Sequence, residues 1–222
     1  MAYWDSLKSY FPAYDFKKVT GRLEILEPDK GAKVRRVVWN YPSFQVLDPA
    51  IIKEFTSLYD KGGSPDIFRK DCDGIFICEH DGNKYFIFNE LKSTFDTSDI
   101  YKAKKQIISS YLKMNLLMHL APGYRNEDFR IKGFIFSHPP HDSFIKDLKD
   151  KLSLPRQSEW RKDAEFVSDL IVRGKNIFQP LDFSSLKGLQ FGNRGIFNHL
   201  ELYHIPVPKG CNSLTLNLLN FL

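Results

Sequence analysis

Cysteine is scarce in this chain of 222 residues: Cys72, Cys78 and Cys211 are too few and too scattered for a disulfide framework or a four-cysteine zinc site. A reducing cytosol suits them. No apolar run approaches the roughly 20 residues needed to cross a bilayer, and the start, Met1-Ala2-Tyr3-Trp4-Asp5, lacks a basic stretch followed by an apolar one. These absences predict a soluble, unsecreted, cytoplasmic protein with no membrane partner. Internal repeats, low-complexity tracts and linkers are missing too, so one domain is expected. Serine and cysteine lack a nucleophile elbow or a companion base motif, which excludes acyl-enzyme hydrolysis. Gly192-Asn193-Arg194-Gly195 fits neither a Walker loop nor a dinucleotide fingerprint and reads as a turn. Two prolines break His138-Pro139-Pro140-His141, and the five-residue offset of His199 and His204 puts their rings on opposite faces of a strand, so no zinc site is expected.

What is present is an aromatic-rich, foldable composition: 42% hydrophobic, 27% charged, with 19 Phe, 10 Tyr and 3 Trp. The net charge of +5, from 32 basic and 27 acidic residues, is compatible with a polyanionic partner without requiring one. Aromatics beside basic residues, as in Trp39-Asn40-Tyr41 after Arg35-Arg36 or in Trp160-Arg161-Lys162, could stack on bases, although most Phe and Tyr read as core.

Along the chain, residues 1–47 read as a strand-rich segment, with β-type runs at 22–27 and 33–39 around a Pro28–Gly31 turn. Asp48-Pro49 is an N-cap followed by a first-turn proline, and Ile51, Ile52, Phe55, Leu58 and Tyr59 recur at helical spacing until Gly62-Gly63, predicting a helix over 49–61. Two apolar runs, 74–78 and 85–88, flank an Asp81-Gly82 step and predict an antiparallel hairpin. A helix over 99–120 follows, with Ile100, Ala103, Ile107, Tyr111 and Met118 on one side and Lys102, Gln106, Ser109 and Lys113 on the other. That polar side reads either as a solvated face or as a stripe facing phosphates. A strand at 129–136 completes a strand–helix–strand crossover. Helices at 142–152 and 158–173, a glycine-containing region at 187–195 and strands at 200–207 and 213–221 close the chain. The expectation is a mixed α/β domain in which a hairpin feeds a βαβ crossover, with a core at 48–138 and C-terminal helices and closing strands at 139–222.

The chemistry-bearing stretch is the hairpin. Residues two apart on a strand share a face, so Glu90 and Lys92 project together while Leu91 points into packing. Asp73 begins the first hairpin strand, and antiparallel pairing sets that start opposite the end of the second. Two carboxylates and one ammonium thus converge. Magnesium takes one or two carboxylates plus water and substrate phosphate, which fits Asp73, Glu90 and the carbonyl of Leu91. Such an ion would stabilise charge on a scissile phosphodiester and acidify water, with Lys92 placed to position that water. The tripeptide alone carries no weight. With 27 acidic residues and 22 lysines, an acidic-x-Lys triplet arises by chance about three times, and three are present, at 15–17, 90–92 and 147–149. Context singles out the middle copy: an apolar strand before it, a hairpin partner beginning with Asp, and a helical crossover after it.

This arrangement resembles the PD-(D/E)XK nuclease superfamily, whose restriction-endonuclease-like fold is a mixed sheet flanked by helices, with an Asp on one strand and Glu-x-Lys on the next. The resemblance spans about residues 48–138, and by position Asp73 matches the motif Asp and Glu90 and Lys92 the Glu-x-Lys. Cys72 stands where the motif proline would be, and the literal Pro65-Asp66 pair lies before any strand signal. In the branch with Gln-x-x-x-Tyr on the following helix, Gln106 would match the glutamine, while Ser110 occupies the tyrosine position. The resemblance implies a metal-dependent deoxyribonuclease using Mg2+, with Mn2+ as substitute and with Asp73, Glu90 and Lys92 as its site. Gln106 would be auxiliary, as would Glu54, which lies about 100° from the centre of its helix's apolar face and could either reach the site or sit in solvent. DNA is the implied partner, with RNA also open, and the implied setting is bacterial defence or restriction, in which a homo-oligomer or partner protein would fit. A noncatalytic nucleic-acid-binding or assembly subunit keeping the same fold is the alternative.

Overall fold

Local signals position most elements of the computed structural model, which describes residues 2–63, 66–178 and 199–222. The element the sequence did not announce comes first. A nine-residue helix, α1 (Ala2–Tyr10), precedes the strand-rich segment, and it is anchored by Trp4 and Leu7, one turn apart and both buried, with the Trp4 ring 5.6 Å from Phe16. Strands β1 (Phe16–Leu26) and β2 (Arg36–Leu47) are longer than their apolar runs suggested, pairing antiparallel along their whole length. Helix α2 (Pro49–Lys61) starts as expected: Asp48 caps it by accepting from the Ala50 amide at 2.9 Å, and Pro49 fills the first turn.

The hairpin of β3 (Gly74–His80) and β4 (Asn83–Leu91) turns on Asp81 and Gly82, whose positive φ values of 48° and 76° are those of a tight primed turn. Helix α3 (Thr97–Met118), capped by Asp96, carries the chain over to β5 (Phe129–Ser137), parallel to β4 in continuous register from Lys84↔Phe129 to Leu91↔Phe136. Helices α4 (Asp142–Leu152) and α5 (Glu159–Val172) lead to β6 (Lys175–Phe178), which pairs antiparallel with β7 (Leu200–Pro206). The chain closes with β8 (Ser213–Asn217) and a 3-10 turn over Leu218–Phe221. The expected strand over 213–221 therefore stops early, because Asn217 caps the turn through the Leu219 amide and Leu218 is driven into the core. The glycine-containing region at 187–195, with its Gly192–Gly195 turn, lies outside the described residues. Among the described residues, no helix is long and apolar enough to cross a membrane.

The strands form one mixed α/β sheet of eight, in the order β1-β2-β3-β4-β5-β7-β6, flanked by helices. Strand β2 divides one of its edges. Residues 36–40 pair parallel with β8, whereas Gln45 and Val46 pair antiparallel with β3. Alternation then builds two cores. On one face Ile75, Ile77, Phe86, Phe88, Ile131 and Ile135 meet the apolar side of α3. On the other, Phe76, Tyr85, Ile87, Leu91, Phe134 and Phe136 meet Leu23, Ile25, Val37, Trp39 and Phe44 of β1 and β2. The β1–β2 lobe thus lies across the sheet face opposite α3. Its close approach requires a glycine at position 74, where an added Cβ would come within 2.5–2.8 Å of the Ile25 side chain.

Candidate functional site

The carboxyl ends of β4 and β5, together with the start of β3, bring the motif residues together. Register pairs Gly74 with Asn89, so Asp73 stands beside the end of β4. Its amide donates to the Asn89 carbonyl at 2.9 Å, and its carboxylate Oδ2 accepts from the Leu91 amide at 2.7 Å. The carboxylate is therefore folded back over the strand end that carries Glu90. Glu90 and Lys92 follow Phe86 and Phe88 onto the α3 face, while Leu91 is buried in the opposite core, as the period-two pattern requires. The Lys92 amide donates to the Phe136 carbonyl at 2.7 Å, extending the β4–β5 ladder one step and fixing the residue in strand geometry.

The charges are almost dry. Glu90 has only 1% of its side chain exposed and Lys92 10%, and the Lys92 ammonium donates to Glu90 Oε1 at 2.5 Å and to Gln106 Oε1 at 2.8 Å. The second carboxylate oxygen of Glu90, Oε2, is buried and has no hydrogen-bond partner. Burial, then the neighbouring Asp73 charge, drive the Glu90 carboxyl well above its ordinary range, with Lys92 opposing. Burial likewise pushes Asp73 up to about 7, against the Leu91 amide and with help from Glu27. Both carboxyls thus resist ionisation more than free carboxyls do.

Glu27 was not singled out by the sequence. It lies just past β1, its amide bonded to the Arg35 carbonyl and its Oε1 accepting from the Asp29 amide at 2.9 Å, and the charge of its carboxyl acts on Asp73. No local pattern marks it. It arrives through the same folding of the β1–β2 lobe that presses Ile25 against Gly74, and the lobe is tied to the strand end by Trp39, whose indole Nε1 donates to Asn89 Oδ1 at 2.8 Å.

The polar side of α3 is where expectation and structure part. Lys102 is exposed, but Gln106, Ser109, Ser110 and Lys113 turn inward, Lys113 with no exposed surface. The solvated or phosphate-facing stripe is thereby corrected: loop 70–72 docks on this side of the helix and takes up the polar groups of Gln106, Ser110 and Lys113, while the Ser109 hydroxyl is buried without a partner among the described residues. Gln106 donates to the Asp71 carbonyl at 2.8 Å, and Ser110 Oγ accepts from the Cys72 amide at 2.8 Å. Ser110, at the position expected for tyrosine in the Gln-x-x-x-Tyr pattern, thus braces the residue before Asp73. Glu54 is exposed on α2. The pocket that opens beside Asp73 is bordered on that helix by Pro49, Ile52 and Lys53.

The weaker signals resolve into packing. Trp39 and Tyr41 are core residues rather than a base-stacking surface, while Trp160 is 64% exposed. His138 Nδ1 lies 3.0 Å from the Val207 carbonyl, and His204 is buried against Ser137 Oγ at 2.9 Å, where burial lowers its pKa to about 4. Among the described residues, no three His, Cys, Asp or Glu side chains form a ready-made cage for an ion. A two-carboxylate set completed by a backbone carbonyl, water and phosphate is nevertheless a usual magnesium environment. Comparison with family models, with curated proteins and with solved structures finds no match for the chain.

Proposed function

We propose that this chain is a magnesium-dependent nuclease of the PD-(D/E)XK type, built on a restriction-endonuclease-like core and hydrolysing phosphodiester bonds in DNA. The observation that carries this reading is the buried, unpartnered Oε2 of Glu90, set beside Asp73 and on the same carboxylate that Lys92 grips. A buried orphan acceptor is costly unless something satisfies it, and a hard cation is the ligand that two adjacent carboxylates attract. The donor set fits: Asp73, Glu90 and the Leu91 carbonyl are all oxygen, and the pair sits where hairpin and crossover strands end together.

A magnesium ion held there would supply Lewis acidity toward a phosphate oxygen and would acidify water. The chain's own groups do the rest. Asp73 is aimed by the Leu91 amide, so its other oxygen keeps one direction. Lys92 holds its ammonium against Glu90, near where negative charge builds on the phosphate, and can orient the attacking water through its remaining proton. Gln106 prevents Lys92 from swinging to solvent and ties it to the loop that delivers Asp73. Burial removes bulk water from around these charges, which strengthens each of their interactions.

The test is cleavage of supercoiled plasmid DNA, and in parallel of single-stranded RNA, in Mg2+ by the native protein and by Lys92→Ala. Native protein converts the plasmid, and the substitution lowers the rate by roughly 100-fold or more. Equal rates for the two proteins would refute the assignment. Retention of DNA without cutting in either Mg2+ or Mn2+ would favour a noncatalytic nucleic-acid-binding subunit instead.

A further inference from the structure

Behind the carboxylates lies a second buried cation for which the hydrolytic reading has no task. Lys113, two turns along α3 from Gln106, has no exposed side-chain surface. Its ammonium has three protons and finds three acceptors: Thr56 Oγ1 of α2 at 2.5 Å, Asp71 Oδ1 at 2.6 Å and the Lys70 carbonyl at 2.7 Å. Thr56 in turn donates to the Asp71 carboxylate at 2.8 Å, closing a triangle of two helices and one loop.

The row to which Lys113 belongs gives this cluster a direction. Gln106, Ser110 and Lys113 follow one another at i, i+4 and i+7, along one side of a single helix. Between them they hold loop residues Lys70, Asp71 and Cys72, through a carbonyl, a carbonyl with its carboxylate, and an amide. The next residue is Asp73. The first member of the row also accepts from Lys92, so one helix sets the loop that delivers a carboxylate and the ammonium that faces it. An aliphatic side chain would glue α2 to α3 without the desolvation that pulls the Lys113 pKa down. What an aliphatic side chain could not do is fix a carbonyl and a carboxylate of the loop at once.

We propose that Lys113 is a positioning residue for the cation site, acting through Asp71 and the Lys70 carbonyl to hold Asp73 at the bonding distance that lets it share an ion with Glu90. This rests on the reading of Asp73 and Glu90 as ligands. Groups that orient metal ligands from behind commonly alter affinity about 10- to 100-fold when removed, and Lys113 falls in that class.

The experiment is a titration of Mn2+ followed by electron paramagnetic resonance, on the native chain, Glu90→Gln, Lys113→Met and the double variant Lys113→Met/Asp71→Asn, with circular dichroism confirming the native fold of each. Native protein binds one ion and Glu90→Gln loses it, whereas Lys113→Met binds about 10- to 100-fold more weakly with its fold intact. The Mg2+ concentration giving half-maximal cleavage rises by the same factor, while the rate at saturating Mg2+ stays near native. If Lys113→Met fails to fold, the double variant decides, since it leaves no uncompensated buried charge. Native affinity in either folded Lys113 variant would overturn the positioning role while leaving the ligand assignment intact. Native affinity in Glu90→Gln, or no binding by the native chain, would overturn the ligand assignment and the positioning role with it.

Discussion

Asp73→Asn offers a quantitative test of how the site is charged. The Asp73 carboxyl is held at about 7 against an ordinary 3.8. A raised carboxyl pKa means that the folded chain keeps a proton which the unfolded chain has released. The penalty is therefore absent below about pH 4, accumulates between about pH 4 and 7, and is complete above that. At 1.36 kcal/mol per unit, the shift corresponds to about 4 kcal/mol of lost stability near pH 8 when no cation is bound. Asparagine mimics the protonated acid, and its carbonyl oxygen can still accept from the Leu91 amide, so the substitution removes the charge and leaves the hydrogen bond. Urea unfolding of the two proteins in a chelator is expected to show similar stability near pH 4. Near pH 8 the asparagine variant is expected to be the more stable by up to about 4 kcal/mol, which for a chain of this length is on the order of 10 °C in Tm. Saturating Mg2+ then closes the gap by stabilising the native protein alone. A difference that does not change with pH, or an asparagine variant that is the less stable near pH 8, would refute the reasoning.

Two further outcomes follow from the packing around Asp73. Glu27→Gln replaces a like charge with a hydrogen-bond donor, so the Asp73 titration midpoint, followed by carboxyl-carbon NMR, moves below about 7; an unmoved midpoint would show that Glu27 does not act on it. Gly74→Ala forces a methyl group into the buried Ile25 side chain and is expected to lower stability by about 1–3 kcal/mol in chemical denaturation, whereas a change near zero would mean that the β1–β2 lobe can move away at little cost.

The parts of the fold that were legible are those written locally. Asp48-Pro49 caps α2, Asp81-Gly82 turns the hairpin, and alternation along 85–92 sends Phe86, Phe88, Glu90 and Lys92 to one face and Leu91 to the other. The meeting of Asp73 with Glu90 was legible for the same reason, since a hairpin fixes its own register. What escaped depends on distant chain. Lys113 lies on a helix side that periodicity marks as polar, and only the docking of loop 70–72 makes it a buried clamp. Glu27 is delivered by the β1–β2 lobe, whose second strand pairs with β8 from the far end of the chain. Glu54 lies at an ambiguous helical angle, and in the fold it is exposed. At the two ends, α1 is too short to announce itself by period, and the alternation beyond Asn217 was taken over by the capped turn that buries Leu218.

A manganese soak of crystals of this protein reaches the heart of the proposal, because anomalous scattering locates the ion without reference to activity. One anomalous peak is expected within coordinating distance, about 2.0 to 2.6 Å, of carboxylate oxygens from both Asp73 and Glu90, with the Leu91 carbonyl completing the protein ligands. No peak there at saturating Mn2+, or a peak that touches only one of the two carboxylates, would contradict the assignment of a nuclease site to these residues.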